Sequence, residues 1–129
     1  MNIIPQPKMV RHLNGNFWLD VHKKIIVAAG SSLEFMDIAM LLNEEIEENL
    51  GYCCGITKVS LHALDASEGI ILRQSDELGS QQYTIDITPD RILLTGGTVV
   101  AVRYAVQTLR QLIRYSLLLK IIYEYYTTT

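Results

Sequence analysis

Positive charge is scarce in this sequence. Eleven Lys and Arg stand against fourteen Asp and Glu, for a net charge of -3 over 129 residues. With no cationic surplus there is no electrostatic footprint for a phosphate backbone, which sets nucleic acid aside as a partner. Cysteine is equally sparse: Cys53 and Cys54 are the only two and are neighbours. A bridge between adjacent residues strains the backbone, so both read as free thiols and no disulfide framework is expected. No long uncharged apolar run exists either. The longest candidate, from Val99 to Tyr126, is broken by Arg103, Arg110, Arg114, Lys120 and Glu124, each costly at the centre of a bilayer, so no membrane span is expected. The first eight residues lack both a charged start and an apolar stretch, so this chain shows no signal peptide and its localisation stays unknown.

Chemistry-bearing patterns are also missing. The three histidines, His12, His22 and His62, include no pair three or four residues apart, the spacing that puts two metal ligands on one helical turn. No Ser, Thr or Cys has a neighbouring His in a nucleophile arrangement. Gly96-Gly97 precedes a helix, but without a further Gly or Lys it is a weak anion motif. The sequence therefore predicts no catalytic residue, no metal and no cofactor.

What is present is ordinary globular material: 49% hydrophobic and 19% charged residues, at a length suited to one core. The clearest element is the stretch 97–114. Val102, Val106, Leu109 and Ile113 recur at helical spacing, and Arg103, Gln107, Arg110 and Arg114 follow one step on. This predicts a helix with Leu109 turned inward, Ala105 and Leu112 widening the dry stripe, Arg110 turned outward and Thr98 as N-cap.

The remaining chain reads mostly as strands. Asn14-Gly15 between Met9–Leu13 and Asn16–Leu19 predicts a hairpin. Lys24–Ala29 is β-branched without clean alternation, as in a strand buried on both faces. Ser31 with Glu34 suggests a capping box opening a helix, with Phe35, Ile38, Ala39, Leu42 and Ile46 on its dry side and Gly51 as its stop. In that helix the run Glu44-Glu45-Ile46-Glu47-Glu48 reads as a solvated face rather than a metal or docking patch. Ile56–His62 alternates as a half-buried strand with Val59 and Leu61 on one face, and Ile70–Arg73 is a further short strand. Tyr83, Ile85 and Ile87 face inward from a strand that Pro89-Asp90 turns into Arg91–Thr95, making a second hairpin.

Past Arg114 the wet stripe continues through Leu117, Leu118 and Ile121, which are apolar. The tail 115–129 suits a contact between two copies through the last helix and tail, and equally an extra strand within its own monomer. Trp18 and Phe17 share one predicted strand. If it alternates, one of them faces outward, available to stack on a sugar or to fill an interface.

These landmarks form an ordered set. Ile4-Pro5-Gln6-Pro7-Lys8, then Gly15 and Phe17, then Gly79 before Tyr83-Thr84-Ile85-Asp86-Ile87, then Tyr104-Ala105-Val106-Gln107-Thr108-Leu109-Arg110-Gln111-Leu112 together resemble the N-terminal domain of glycoside hydrolase family 20, the β-N-acetylhexosaminidases. The likeness spans residues 3 to 114, and Ala105 stands where the family usually has glycine.

The resemblance implies an α+β domain, 1–114, with an antiparallel-rich mixed sheet and two helices on one face, similar in topology to zinc proteases. No His-Glu-x-x-His supports a protease reading here. In the family this domain precedes, in cis, a (β/α)8 barrel whose Asp-Glu pair works with the substrate's acetamido group. That barrel is absent from these residues, so no catalytic residue carries over. The expected role is a non-catalytic accessory domain; the alternatives are a carbohydrate-binding module or a fragment of a truncated glycoside hydrolase gene. Relatives of full length are often exported or lysosomal.

Overall fold

The computed structural model describes residues 9–12, 23–28 and 32–114, the first of these as backbone alone. Strands β1 (Met9–His12), β2 (Lys24–Ala28), β3 (Gly55–Val59), β4 (Gly69–Gln74), β5 (Tyr83–Ile87) and β6 (Arg91–Gly96) form one sheet. Their order is β1-β5-β6-β4-β2-β3. Three helices accompany them: α1 (Leu33–Leu50), α2 (Leu61–Leu64) and α3 (Val99–Arg114).

The sheet is mixed, but it is not antiparallel-rich. Only β5 and β6 run antiparallel, with Tyr83 opposite Gly96 and Ile87 opposite Ile92. The pairs β1–β5, β2–β3, β2–β4 and β4–β6 are all parallel. The reason lies in the connections. Pro89-Asp90 is a tight turn, whereas β2 reaches β3 through α1 and β3 reaches β4 through α2, and such crossovers return the chain in its original direction. The Asn14-Gly15 hairpin falls outside the described residues.

Alternation divides the sheet into two unequal faces. Ile25 and Val27 of β2, Ile70 and Leu72 of β4, Tyr83 and Ile85 of β5, and Ile92 and Leu94 of β6 meet both long helices in one core. Two helices on one face is thus the arrangement found. On the reverse face Ile26 and Ile71 meet Leu64 of α2, which makes β2 and β4 buried on both sides.

The dry stripe of α1 is the expected one, with Phe35, Ile38, Ala39, Leu42 and Ile46 buried. Gly51 ends it in the left-handed region at φ 79° and donates its N–H to Glu47 O at 2.9 Å. The start differs: Ser32 is the N-cap and its side chain makes no capping bond. Helix α3 buries Val102, Ala105, Val106, Leu109 and Ile113, and Thr98 Oγ1 accepts the Ala101 N–H at 3.2 Å, as its N-cap position requires.

The strand expected over Ile56–His62 stops at Val59. The described ladder with β2 runs as far as Ala28 opposite Val59. The chain instead turns through Ser60 into α2, where Leu64 covers Ile26 and Ile71 while Leu61 stands 70% exposed. Alternation had placed Leu61 with Val59.

Candidate functional site

The turn between β6 and α3 is where a helix N-terminus can receive an anion. Here the 78–82 loop packs against that turn. A Cβ on Gly97 would collide with the carbonyl oxygens of Gly79 and Leu78, and one on Gly96 would lie 2.5 Å from Val102 N. Gly97 N–H donates to Gln82 O at 3.0 Å, Ser75 N–H to Gly96 O at 2.9 Å and Thr98 Oγ1 to Ser80 O at 2.6 Å. The 78–82 loop therefore packs directly against this turn, its carbonyls taking up the Gly97 N–H and the Thr98 hydroxyl. The two glycines serve close backbone approach.

The most concentrated polar chemistry lies at the other end of the helix pair. Glu45, inside the run read as solvated, is 1% exposed. Its Oε1 accepts from Arg114 Nη2 at 2.8 Å, and Arg110 Nε lies 3.3 Å from the same oxygen as an ion pair without hydrogen-bond alignment. Its Oε2 accepts from Asn49 Nδ2 at 2.6 Å and from Arg114 Nε at 3.4 Å. The Arg114 hydrogen bond holds the Glu45 carboxyl below its ordinary value of 4.5, with Asn49 and the charges of Arg114 and Arg110 adding to it against the opposing effect of burial. With both oxygens engaged and no access to solvent, this carboxylate has no free lone pair aimed at a substrate. It is a structural anion.

The pattern carried a signal for this cluster that composition hid. Glu45 follows Leu42 by three and precedes Asn49 by four, at the margin of the dry stripe, while Arg110 and Arg114 are themselves four apart.

Other polar groups are likewise committed. Tyr83 Oη and Thr108 Oγ1 share a buried hydrogen bond of 2.7 Å between β5 and α3, and burial pushes the Tyr83 hydroxyl pKa up. Asn43 clamps the backbone of buried Cys54, accepting its N–H and donating to its C=O, both at 2.8 Å. Cys53 is exposed, and its Sγ donates to Glu47 Oε2 at 3.0 Å. That carboxylate neighbour raises the thiol pKa. Both cysteines are free thiols.

The histidines are not brought together. His62 sits in α2 rather than on a strand, His12 is in β1 opposite Ile87, and His22 lies outside the described residues. Among the described residues no three His, Cys, Asp or Glu side chains are placed to hold a metal ion, and no helix is long and apolar enough to cross a membrane. Trp18 and Phe17 also lie outside the described residues.

The described residues thus form an α+β layer pair in which Glu45 is held by Arg114, Arg110 and Asn49, and Tyr83 by Thr108. The chain belongs to glycosyl hydrolase family 20, as domain 2, which its residues 1–118 match. That domain is the family's non-catalytic accessory domain. The fold is similar to part of the beta-N-acetylhexosaminidase from Bacteroides fragilis NCTC 9343, at 23% identity and a TM-score of 0.56. The match covers 84% of this chain and 20% of that one, so the chain spans about a fifth of that protein. No curated protein sequence matches. A (β/α)8 barrel takes about 250 residues, so these 129 do not contain one.

Proposed function

We propose that this domain is the structural companion of a (β/α)8 barrel of the β-N-acetylhexosaminidase type and has no hydrolytic activity of its own. The observation that supports this reading is Glu45: the one buried carboxylate among the described residues is spent on Arg110, Arg114 and Asn49. A retaining mechanism needs carboxyl groups facing a sugar. Purified protein incubated with a chromogenic N-acetylglucosaminide is expected to release no chromophore. Release that follows the protein peak through repurification would overturn the proposal.

The same reading sets the folded unit at 1–114, with 115–129 as a C-terminal extension, and has the chain self-associate through α3 and that extension. Leu117, Leu118 and Ile121, apolar where the wet stripe would continue, support it. Trp18 and Phe17 are assigned to an interface rather than a sugar subsite. Calorimetry with N-acetylglucosamine oligomers is expected to give no saturable heat. An isotherm abolished by Trp18→Ala would reassign them to carbohydrate binding.

A further inference from the structure

Strand β3 lies at one edge of the sheet and, among the described residues, pairs on one side only, with β2. Beside that edge α1 carries a second stripe, separate from its dry one: Leu33, Met36, Met40, Asn43, Glu47 and Leu50 recur at alternating intervals of three and four. The stripe is turned away from α3 and toward the chain that enters β3. Asn43 holds both backbone groups of Cys54, and Glu47 Oε2 accepts from Cys53 Sγ. Leu33, Met40 and Leu50 of this flank are 82%, 57% and 38% exposed. Met36 and Ile56 of β3 are half-buried at the rim of the main core. An open strand edge beside an exposed apolar flank is a seat for one more strand.

Crossover chirality says which part of the chain fits that seat. Helix α1 carries the chain from β2 to β3 across the helix-bearing face, and β2, β4 and β6 are parallel. A parallel strand that follows α3 across the same face keeps that hand only when it joins the sheet beyond β3. Beyond β1 it would have the opposite, disfavoured hand. Helix α3 also ends at the level where β3 begins, since Arg114 bonds Glu45 near the end of α1 and α1 leads into β3. Residues 115–129 follow, and Lys120-Ile121-Ile122-Tyr123-Glu124-Tyr125-Tyr126 is rich in β-branched and aromatic residues.

Reach decides whose extension takes the seat. Arg114 meets α1 on the side toward α3, and the open edge of β3 lies on the other side. Passing α1 takes about 10 Å, the width of a helix with its side chains. The descent to the sheet and the next strand position takes on the order of another 10 Å. Residues 115–119 span about 17 Å when fully extended. That linker is too short to round α1 without strain, and a short strained linker favours exchange of an element between copies.

We propose that the edge of β3 and the flank of α1 at Leu33, Met36 and Met40 receive the C-terminal extension of a second copy, residues 120–126 adding as a strand parallel to β3. Each protomer gives its extension and takes its partner's, so the contact is isologous and occurs twice. Main-chain hydrogen bonds along β3 supply the pairing, and alternate side chains of the added strand cover Met36, Met40 and Ile56. The proposal rests on the self-association proposed above and gives the extension its receiving surface.

The test uses the full 129-residue chain. Sedimentation at tens of micromolar is expected to show a dimer. About eight Gly and Ser residues inserted after Arg114 relieve the linker and let the strand close on its own sheet, so the lengthened chain should be monomeric with an unchanged circular dichroism spectrum. Met40→Glu, at an exposed position, should weaken the dimer about tenfold or more by carrying a charge into the apolar contact. Exposed Cys53, just ahead of β3, reports where the extension starts along it. With Leu119→Cys, mild oxidation should join two copies at the native length and bridge within one chain at the greater length. A dimer unmoved by Met40→Glu and by the longer linker, and giving no bridge that requires Leu119→Cys, overturns this seat and leaves association through the extension standing. A native-length monomer that bridges within one chain overturns the exchange and the self-association together. A monomer without that bridge overturns the seat as well.

Discussion

Glu45 and Arg114, 69 positions apart in the chain, close to 2.8 Å across the seam between α1 and α3. That contact changes what the outward stripe of α3 is worth. Arg110, read from spacing as a wet-side residue worth about 0.5 kcal/mol, is 18% exposed beside the same carboxylate. Removing one member of a buried ionic group strands the others. Glu45→Ala should destabilise the domain by about 2–4 kcal/mol, somewhat under the usual range for a buried pair because Arg114 can reach water. Arg110→Ala should cost about 1–3 kcal/mol, more than an ordinary surface change. Urea unfolding of the two variants checks both values, and a loss at Arg110 of 0.5 kcal/mol or less would restore the simpler reading of the stripe.

The same cluster sets a pH dependence. The folded-state pKa of Glu45 is lowered, first by the Arg114 hydrogen bond, from an ordinary value of 4.5. Its contribution is therefore fully present above that ordinary value and is lost as pH falls through the lower folded value. Unfolding midpoints measured from neutral pH downward should drop on the acid side, and the drop should be shallower in Glu45→Gln. Equal slopes in the two proteins would remove Glu45 from the account.

Leu109 is 2% exposed and belongs to the main core. Leu109→Ala should cost about 2–5 kcal/mol, the range for truncating a buried leucine. A cost no larger than that of an exposed neighbour such as Arg103→Ala would place the core on another face of α3. Thermal unfolding of both variants decides it.

Gly97 is a test of close approach rather than of ligand binding. The Cβ of Gly97→Ala would run into Gly79 O and Leu78 O, which are backbone atoms and cannot swing aside. The variant should lose about 3 kcal/mol, the upper part of the overpacking range. Near-native stability in chemical unfolding would mean the 78–82 loop is held less tightly against the turn than these contacts require.

Much of the interior was legible from spacing alone. Phe35, Ile38, Ala39, Leu42 and Ile46 on α1, and Val102, Ala105, Val106, Leu109 and Ile113 on α3, are buried as helical periodicity requires. Gly51 as a left-handed stop, Thr98 as a cap and the β5–β6 hairpin are also local events, decided within a few residues. The ordered motifs from Ile4 to Leu112 carried the family as well.

Strand direction was not local. Whether β2, β3 and β4 align depends on crossovers through α1 and α2, β6 joins them by way of β5, and no residue in a strand records the direction of its neighbour. The switch from β3 to α2 was not local either, because it is Leu64 packing on Ile26 and Ile71, distant in the chain, that gives the α2 turn its buried contact. Glu45 is the sharpest case. Its sequence neighbours Glu44, Glu47 and Glu48 are exposed, and only the approach of Arg110 and Arg114 from a helix far along the chain makes a buried carboxylate stable at that position. Periodicity says which side of a helix is dry; the packing of one helix on another decides which charge can stay inside.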